Sequence, residues 1–188
     1  MSSSKRTGGQ QPGDAAAKTA HGLKDVATEF VDRAFNRRES DVVDKVAHPE
    51  CRYGVPARPE LGNAEFKAFV RDLTRGMPDL RVEILDAIED GDLVALRTSL
   101  TGTHKGELLR TPPTGNRLHI EEMMLLEFDG EGRLRHYRQE SDYVEMMVQI
   151  GIMAPARTGT LGMIGHAFSS AVRFSRLRRR AARAGAAR

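Results

Sequence analysis

The spacing of apolar residues divides this chain into a helical first half and a strand-rich second half. Leu23, Val26, Ala27, Phe30, Val31, Ala34 and Phe35 recur at three- and four-residue intervals with charges between them, which predicts an amphipathic helix over Leu23–Arg37. A shorter helix is expected over Ser40–Ala47, capped by Ser40 or Asp41 and stopped by His48-Pro49. Cys51–Val55 suits a short strand. A third helix is expected to begin with Asn63 as its cap, to carry Phe66, Phe69, Val70 and Leu73 on one stripe, and to stop at Gly76-Met77-Pro78. From there the pattern has period two. Leu80–Asp90, Asp92–His104, Asn116–Phe128 and Gly132–Asp142 each predict a long strand. Glu89-Asp90-Gly91-Asp92 and Asp129-Gly130-Glu131-Gly132 supply hairpin turns, and a last helix is expected over Tyr143–Ile150.

Helices followed by a run of antiparallel strands indicate an α+β domain rather than a parallel α/β sheet. The expected architecture is a curved, mainly antiparallel sheet wrapped around the N-terminal helices, leaving a cone whose mouth can hold a small ligand. The domain spans Gly22–Ile152. Residues 1–21, rich in Ser, Gly, Gln and Ala, are expected to be disordered, and residues 153–188 form a basic tail.

Charge sharpens this division. Eight arginines and no acidic residue follow Glu145. Without them 21 basic residues face 26 acidic ones, so the rest of the chain is formally −5 although the whole is +3. The basicity therefore belongs to the tail and not to a binding face of the domain. A single cysteine, Cys51, excludes an internal disulfide and a cysteine-based zinc cluster. No apolar run reaches the roughly 20 residues needed to span a bilayer, and residues 1–19 lack the apolar core of a secretory signal, so a cytoplasmic protein is expected. No histidine or carboxylate cluster has ligand spacing and no glycine-rich loop follows a strand, so neither a metal, a nucleotide nor another cofactor is expected.

Leu100-Thr101-Gly102-Thr103-His104-Lys105-Gly106-Glu107, followed by Pro112-Pro113-Thr114-Gly115, resembles the "GTHxGE…PPTG" stretch of SnoaL-like polyketide cyclases. Gly132-Arg133-Leu134, the strand that leads to Asp142, and Val148-Gln149-Ile150-Gly151 resemble that family's closing segment. The resemblance implies a cone-shaped fold of the nuclear-transport-factor-2-like superfamily, often dimeric through its sheet. It also implies cofactor-free acid/base closure of a polyketide ester in a buried pocket. The family's catalytic aspartate lies near the end of the last strand, where this chain has Asp142. Relatives approach it through "hWdvvD", whereas this chain reads His136-Tyr137-Arg138-Gln139-Glu140-Ser141-Asp142.

Alternation places His136, Arg138, Glu140 and Asp142 on one face of that strand. If the face lines the pocket, two carboxylates share it. Asp142 would serve as general base, Glu140 as its partner, and Arg138 would polarise a carbonyl or steady an enolate. If the face meets solvent, Asp142 is the cap of the last helix. His119 shares a face with Glu121, Met123 and Leu125. The opposite face holds Leu118, Ile120, Glu122, Met124, Leu126 and Phe128. Each face carries a glutamate among apolar neighbours, and the one pointing into the cone is a candidate because burying it is costly. His119 is thus a further catalytic candidate. His104, Tyr53, Glu122 and Met124 are candidates for substrate contact, with local packing as the alternative: a turn-fixing hydrogen bond for His104, adaptable core for Met124. Arg97 is more simply an ion-pairing surface group.

In the tail, Leu161, Ile164, Phe168, Ala171, Val172 and Phe174 precede Arg176-Leu177-Arg178-Arg179-Arg180, a basic amphipathic pattern suited to an anionic membrane, a partner protein, or packing on the domain. Sequence-specific contact with nucleic acid is not expected. Three functions fit: a cyclase or related acid/base catalyst on a small carbonyl compound, a non-enzymatic binder of small molecules, and an epoxide-opening enzyme using Arg138, Glu140 and Asp142. Glu140 and Asp142 both lining a closed cavity, with a raised carboxyl pKa, would favour an enzyme; an apolar cavity with these carboxylates pointing outward would favour a binder.

Overall fold

The computed structural model describes residues 22–108 and 110–154, with residues 171, 172, 175, 176 and 179 of the tail. The expectations for residues 1–21 and for most of the basic tail lie outside them. The chain runs α1 (Leu23–Val31), a π-helical turn (Asp32–Asn36), α2 (Asp41–Val46), β1 (Ala47–Gly54), α3 (Asn63–Gly76), β2 (Arg81–Asp90), β3 (Leu93–Thr103), β4 (Arg117–Phe128), β5 (Leu134–Ser141) and α4 (Tyr143–Gln149). The strands form one sheet in the order β1-β5-β4-β3-β2, parallel between β1 and β5 and antiparallel elsewhere. This is the expected α+β arrangement.

Three local expectations are corrected. The first helix does not continue to Arg37 as an α-helix. Its last turn widens at Asp32–Asn36, where the Asn36 side chain donates to Val82 O and accepts from Val82 N, both at 2.8 Å. Asn36 thereby acts as one more rung at the start of β2, and the widened turn aims it there. His48-Pro49 lies inside β1 rather than between elements; β1 is an edge strand with an irregular register from Ala47 to Arg52, which tolerates a residue without N–H. Gly62, not Asn63, occupies the cap of α3. The Glu65 carboxylate accepts from Gly62 N, while Asn63 Nδ2 donates to His48 O and ties α3 to β1.

The helices cover one face of the sheet. Strict alternation in β4 buries Leu118, Ile120, Glu122, Met124, Leu126 and Phe128 and exposes the residues between them. Phe30 and Phe35 of the first helix and Phe66 of α3 meet Tyr53 and Tyr137 in an aromatic cluster, with Tyr53 stacked on Phe66 at 4.0 Å. This packing closes one end of the cone. The other end stays open.

Candidate functional site

The open end is a cavity of about 490 Å³, within the range of small-molecule sites. Its walls are largely apolar: Phe69 and Leu73 from α3, Met77 after it, Leu100 from β3, Ile120 from β4 and Met146 from α4. Two segments complete it, and both explain motifs seen in the sequence. Lys105 N and Gly106 N donate to Gly76 O at 2.9 Å, docking the loop after β3 on the C-terminal end of α3. A Cβ at Gly106 would stand 2.3 Å from Arg75 O, so only glycine permits that approach. The same loop brings Glu107, Leu108 and Arg110 to the mouth.

On the other side, Gln149 hooks α4 to β4. His119 N donates to its side-chain oxygen at 2.9 Å, and its amide donates to His119 O at 3.0 Å. Asn116 Nδ2 donates to Gln149 O at 2.7 Å. This doubled backbone contact holds Tyr143 and Met146 against the cavity.

The chemistry lies at the inner surface of β4 and β5. Glu122, Gln139 and Ser141 line the cavity. Glu122 is only 6% exposed. Gln139 Nε2 donates to its Oε1 at 2.8 Å, and Tyr137 OH donates to Gln139 Oε1 at 3.0 Å. Burial raises the Tyr137 phenol well above its usual range, and the charge on Glu122 adds to this, so Tyr137 keeps its proton. That proton fixes the amide: its oxygen faces Tyr137 and its NH2 faces Glu122. The second carboxyl oxygen, Glu122 Oε2, is buried with no hydrogen-bond partner. Thr98, directly across from Glu122 in the β3–β4 register, also buries its hydroxyl unpartnered. Loss of water pushes the Glu122 carboxyl up to about 7, against the opposing pull of the Gln139 bond.

The residues singled out on the last strand do not meet there. β5 buries Tyr137 and Gln139 and exposes His136, Arg138 and Glu140, so the inward face is the one opposite to the expected catalytic set. The reason is the core: Tyr137 belongs to the aromatic cluster, and its burial turns its neighbours outward. Asp142 is exposed. It caps α4, accepting from Glu145 N at 2.8 Å through Oδ1. His119 lies on the outer face with Nε2 3.0 Å from Ser99 Oγ, and Arg97 pairs with Asp86 and Glu121 there.

Of the expected contact residues, Glu122 alone lines the cavity; Tyr53 and Met124 are buried in the core. His104 is also buried, with Nδ1 3.1 Å from Thr114 Oγ1 and main-chain bonds to Asn116 and Gly115 that hold the loop base. Burial lowers its pKa below the usual value, which keeps it neutral. Gln139, Ser141, Tyr143 and the mouth arginines were not anticipated. Continuing the count along β4 to Glu127 puts two glutamates and His119 on one face and a lone glutamate on the other, which identifies the inner face.

Among the described residues, no group of three or more His, Cys, Asp and Glu side chains could hold a metal ion, and no helix is long and apolar enough to cross a membrane.

Comparison with known proteins agrees with this fold. A family model described as "SnoaL-like polyketide cyclase" matches residues 25–150. "Probable cyclase otaY" of Aspergillus niger is 30% identical over 112 residues, covering 60% of this chain and 85% of that protein. "Aklanonic acid methyl ester cyclase DnrD" of Streptomyces peucetius is 30% identical over 130 residues, covering 67% and 89%. The solved structure of a SnoaL-like polyketide cyclase from Agrobacterium tumefaciens superposes with a TM-score of 0.59 at 21% identity, covering 70% of this chain and 99% of that one, a likeness of fold.

Proposed function

This chain belongs to the SnoaL-like polyketide cyclase family, and we propose that it closes a ring in a polyketide-type carbonyl compound with Glu122 as its general base and acid. The observation that carries this is the placement of Glu122: a carboxyl at the inner end of an apolar cavity, one oxygen held by Gln139 and the other free. A base works best when its pKa lies near the working pH, and Glu122 is held at about 7.

In the proposed reaction the Glu122 carboxylate takes a proton from the carbon α to one carbonyl. The enolate carbon attacks a second carbonyl carbon of the same molecule, and that carbonyl becomes an alkoxide. The proton on Glu122 returns to the alkoxide oxygen, so the carboxylate is regenerated and no other reagent is consumed. Ser141 and Tyr143 also line the cavity and bring hydroxyls that can donate to the developing oxyanion. The apolar wall supports Glu122 by excluding water, and the Tyr137–Gln139 pair fixes the carboxyl through Oε1.

Glu140 and Asp142 point away from the cavity, as in a binder, but Glu122 is a buried carboxyl that lines it, and this favours the enzyme. Epoxide opening by Arg138, Glu140 and Asp142 finds no support, because these residues do not converge in the cavity. The test is turnover of a panel of polyketide keto-esters and keto-acids, including aklanonic acid methyl ester, by the wild type and by Glu122→Gln. The expected loss is about 10²- to 10⁴-fold, the share of a general acid/base, with an unchanged fold. Turnover of the Gln variant within a few-fold of wild type would exclude the role.

A further inference from the structure

The mouth of the cavity carries charge that ring closure itself does not require. Three arginines, Arg58, Arg75 and Arg110, line it against two carboxylates, Asp72 and Glu107. Arg75 is ion-paired with Asp72 at 3.4 Å. Among the described residues, neither Arg58 nor Arg110 takes part in an ion pair. Arg58 is nevertheless placed. The Arg58 guanidinium lies over the Phe69 ring at 5.3 Å from its centroid, which holds a planar cation at the lip of an apolar wall. Arg110 reaches the same cavity from the loop after β3, its backbone at φ +60°.

We propose that Arg58 and Arg110 bind a carboxylate carried by the substrate, so that this protein takes a polyketide free acid in preference to the methyl ester. This rests on the same cavity being the substrate site. Exposure orders the lining: the three arginines with Asp72 and Glu107 are exposed, a net positive rim, while Glu122 is buried beyond the apolar walls. A molecule with an anionic end and a diketone end is oriented by it in one direction only. A guanidinium pairs with a carboxylate through two parallel hydrogen bonds, and an ester offers neither the charge nor the second strong acceptor.

Pairing at the lip also keeps the substrate charge away from Glu122. A carboxylate bound beside Glu122 would repel its ionised form and hold back the base.

The experiment compares binding of aklanonic acid and its methyl ester to the full chain by calorimetry, for wild type, Arg58→Gln/Arg110→Gln and Glu122→Gln. The acid is expected to bind wild type at least about tenfold more tightly, the size of one charge-assisted hydrogen bond. The double arginine variant should lose that preference while its affinity for the ester stays within about twofold, a change below 0.5 kcal/mol. Glu122→Gln should keep the preference while losing turnover. Preference lost with the arginines but turnover intact in Glu122→Gln would sink the catalytic assignment and leave this inference standing. Equal affinity for acid and ester, no binding of either, or a preference that survives the double variant would overturn it.

Discussion

Glu121 and Glu122 are neighbours in one strand and differ by everything that the two faces of a sheet can impose. Glu121 points outward, exposed, and meets Arg97 at 3.3 Å in a row of charged side chains that includes Asp86. Glu122 points inward among Ile120, Met124 and Leu100, with one amide as its partner and an oxygen left without any. Identical side chains thus end as an exposed partner of an arginine and as a buried carboxyl that gains its charge only near neutral pH. The strand's alternation alone makes the difference. An enzyme in this fold needs no unusual residue to obtain a working base; it needs one glutamate on the wrong side of the pleat.

The largest expected effect that sharpens this contrast concerns stability. Glu122 is raised in the folded state to about 7 from an ordinary 4.5, so folding holds the proton more tightly than the unfolded chain does. Its favourable contribution is complete below pH 4.5 and is lost as the pH rises through 7, a fall on the order of 3 kcal/mol. Urea unfolding at pH 5 and pH 8 should show this fall in wild type and in Glu121→Gln, and its near-absence in Glu122→Gln. A pH dependence shared by all three would place the titration elsewhere. His104, which is buried neutral and costs stability toward low pH, is common to all three proteins and cancels.

A smaller effect tests how Glu122 is held. Gln139→Met removes the hydrogen bond that favours the ionised carboxylate, so the Glu122 pKa should rise further and the acid limb of the pH–rate profile should move to higher pH. Turnover at pH 7 should drop about tenfold, the weight of a single hydrogen bond to a charged group. A tenfold drop with an unmoved profile would mean that Gln139 only packs.

The smallest effect comes from the outer rim. Asp142→Ala should cost about 1 kcal/mol by removing the cap of α4, and Asp142→Asn, which can still cap, should cost little. Neither should alter turnover beyond about twofold, a difference below 0.5 kcal/mol. Loss of turnover in the well-folded Asn variant would return the catalytic role to the end of β5.

Much of this was legible in the sequence. The four long strands, the turns at Gly91 and Gly132, and the stripe of α3 followed from periodicity, because the core enforces it over many residues. The face of β5 did not. Polar residues occupy both of its sides, and what decides the orientation is Tyr137, whose partners Tyr53, Phe30 and Phe66 come from three distant segments. In β4 the answer was present but needed the whole strand, since only the count through Glu127 separates a face with two glutamates from a face with one. Motif resemblance pointed to Asp142, Gly106 and Gln149, and the structure gives all three architectural work: a cap, a close approach and a hook. The mouth arginines gave no periodic signal, because they sit in loops.

The central claim concerns one carboxyl, and its titration tests it most directly. In a carboxyl-¹³C NMR titration of the full chain, with the Glu122 resonance assigned by its absence in Glu122→Gln, the midpoint is expected near 7. A midpoint at the ordinary glutamate value of about 4.5 would show a solvated carboxylate and contradict the account.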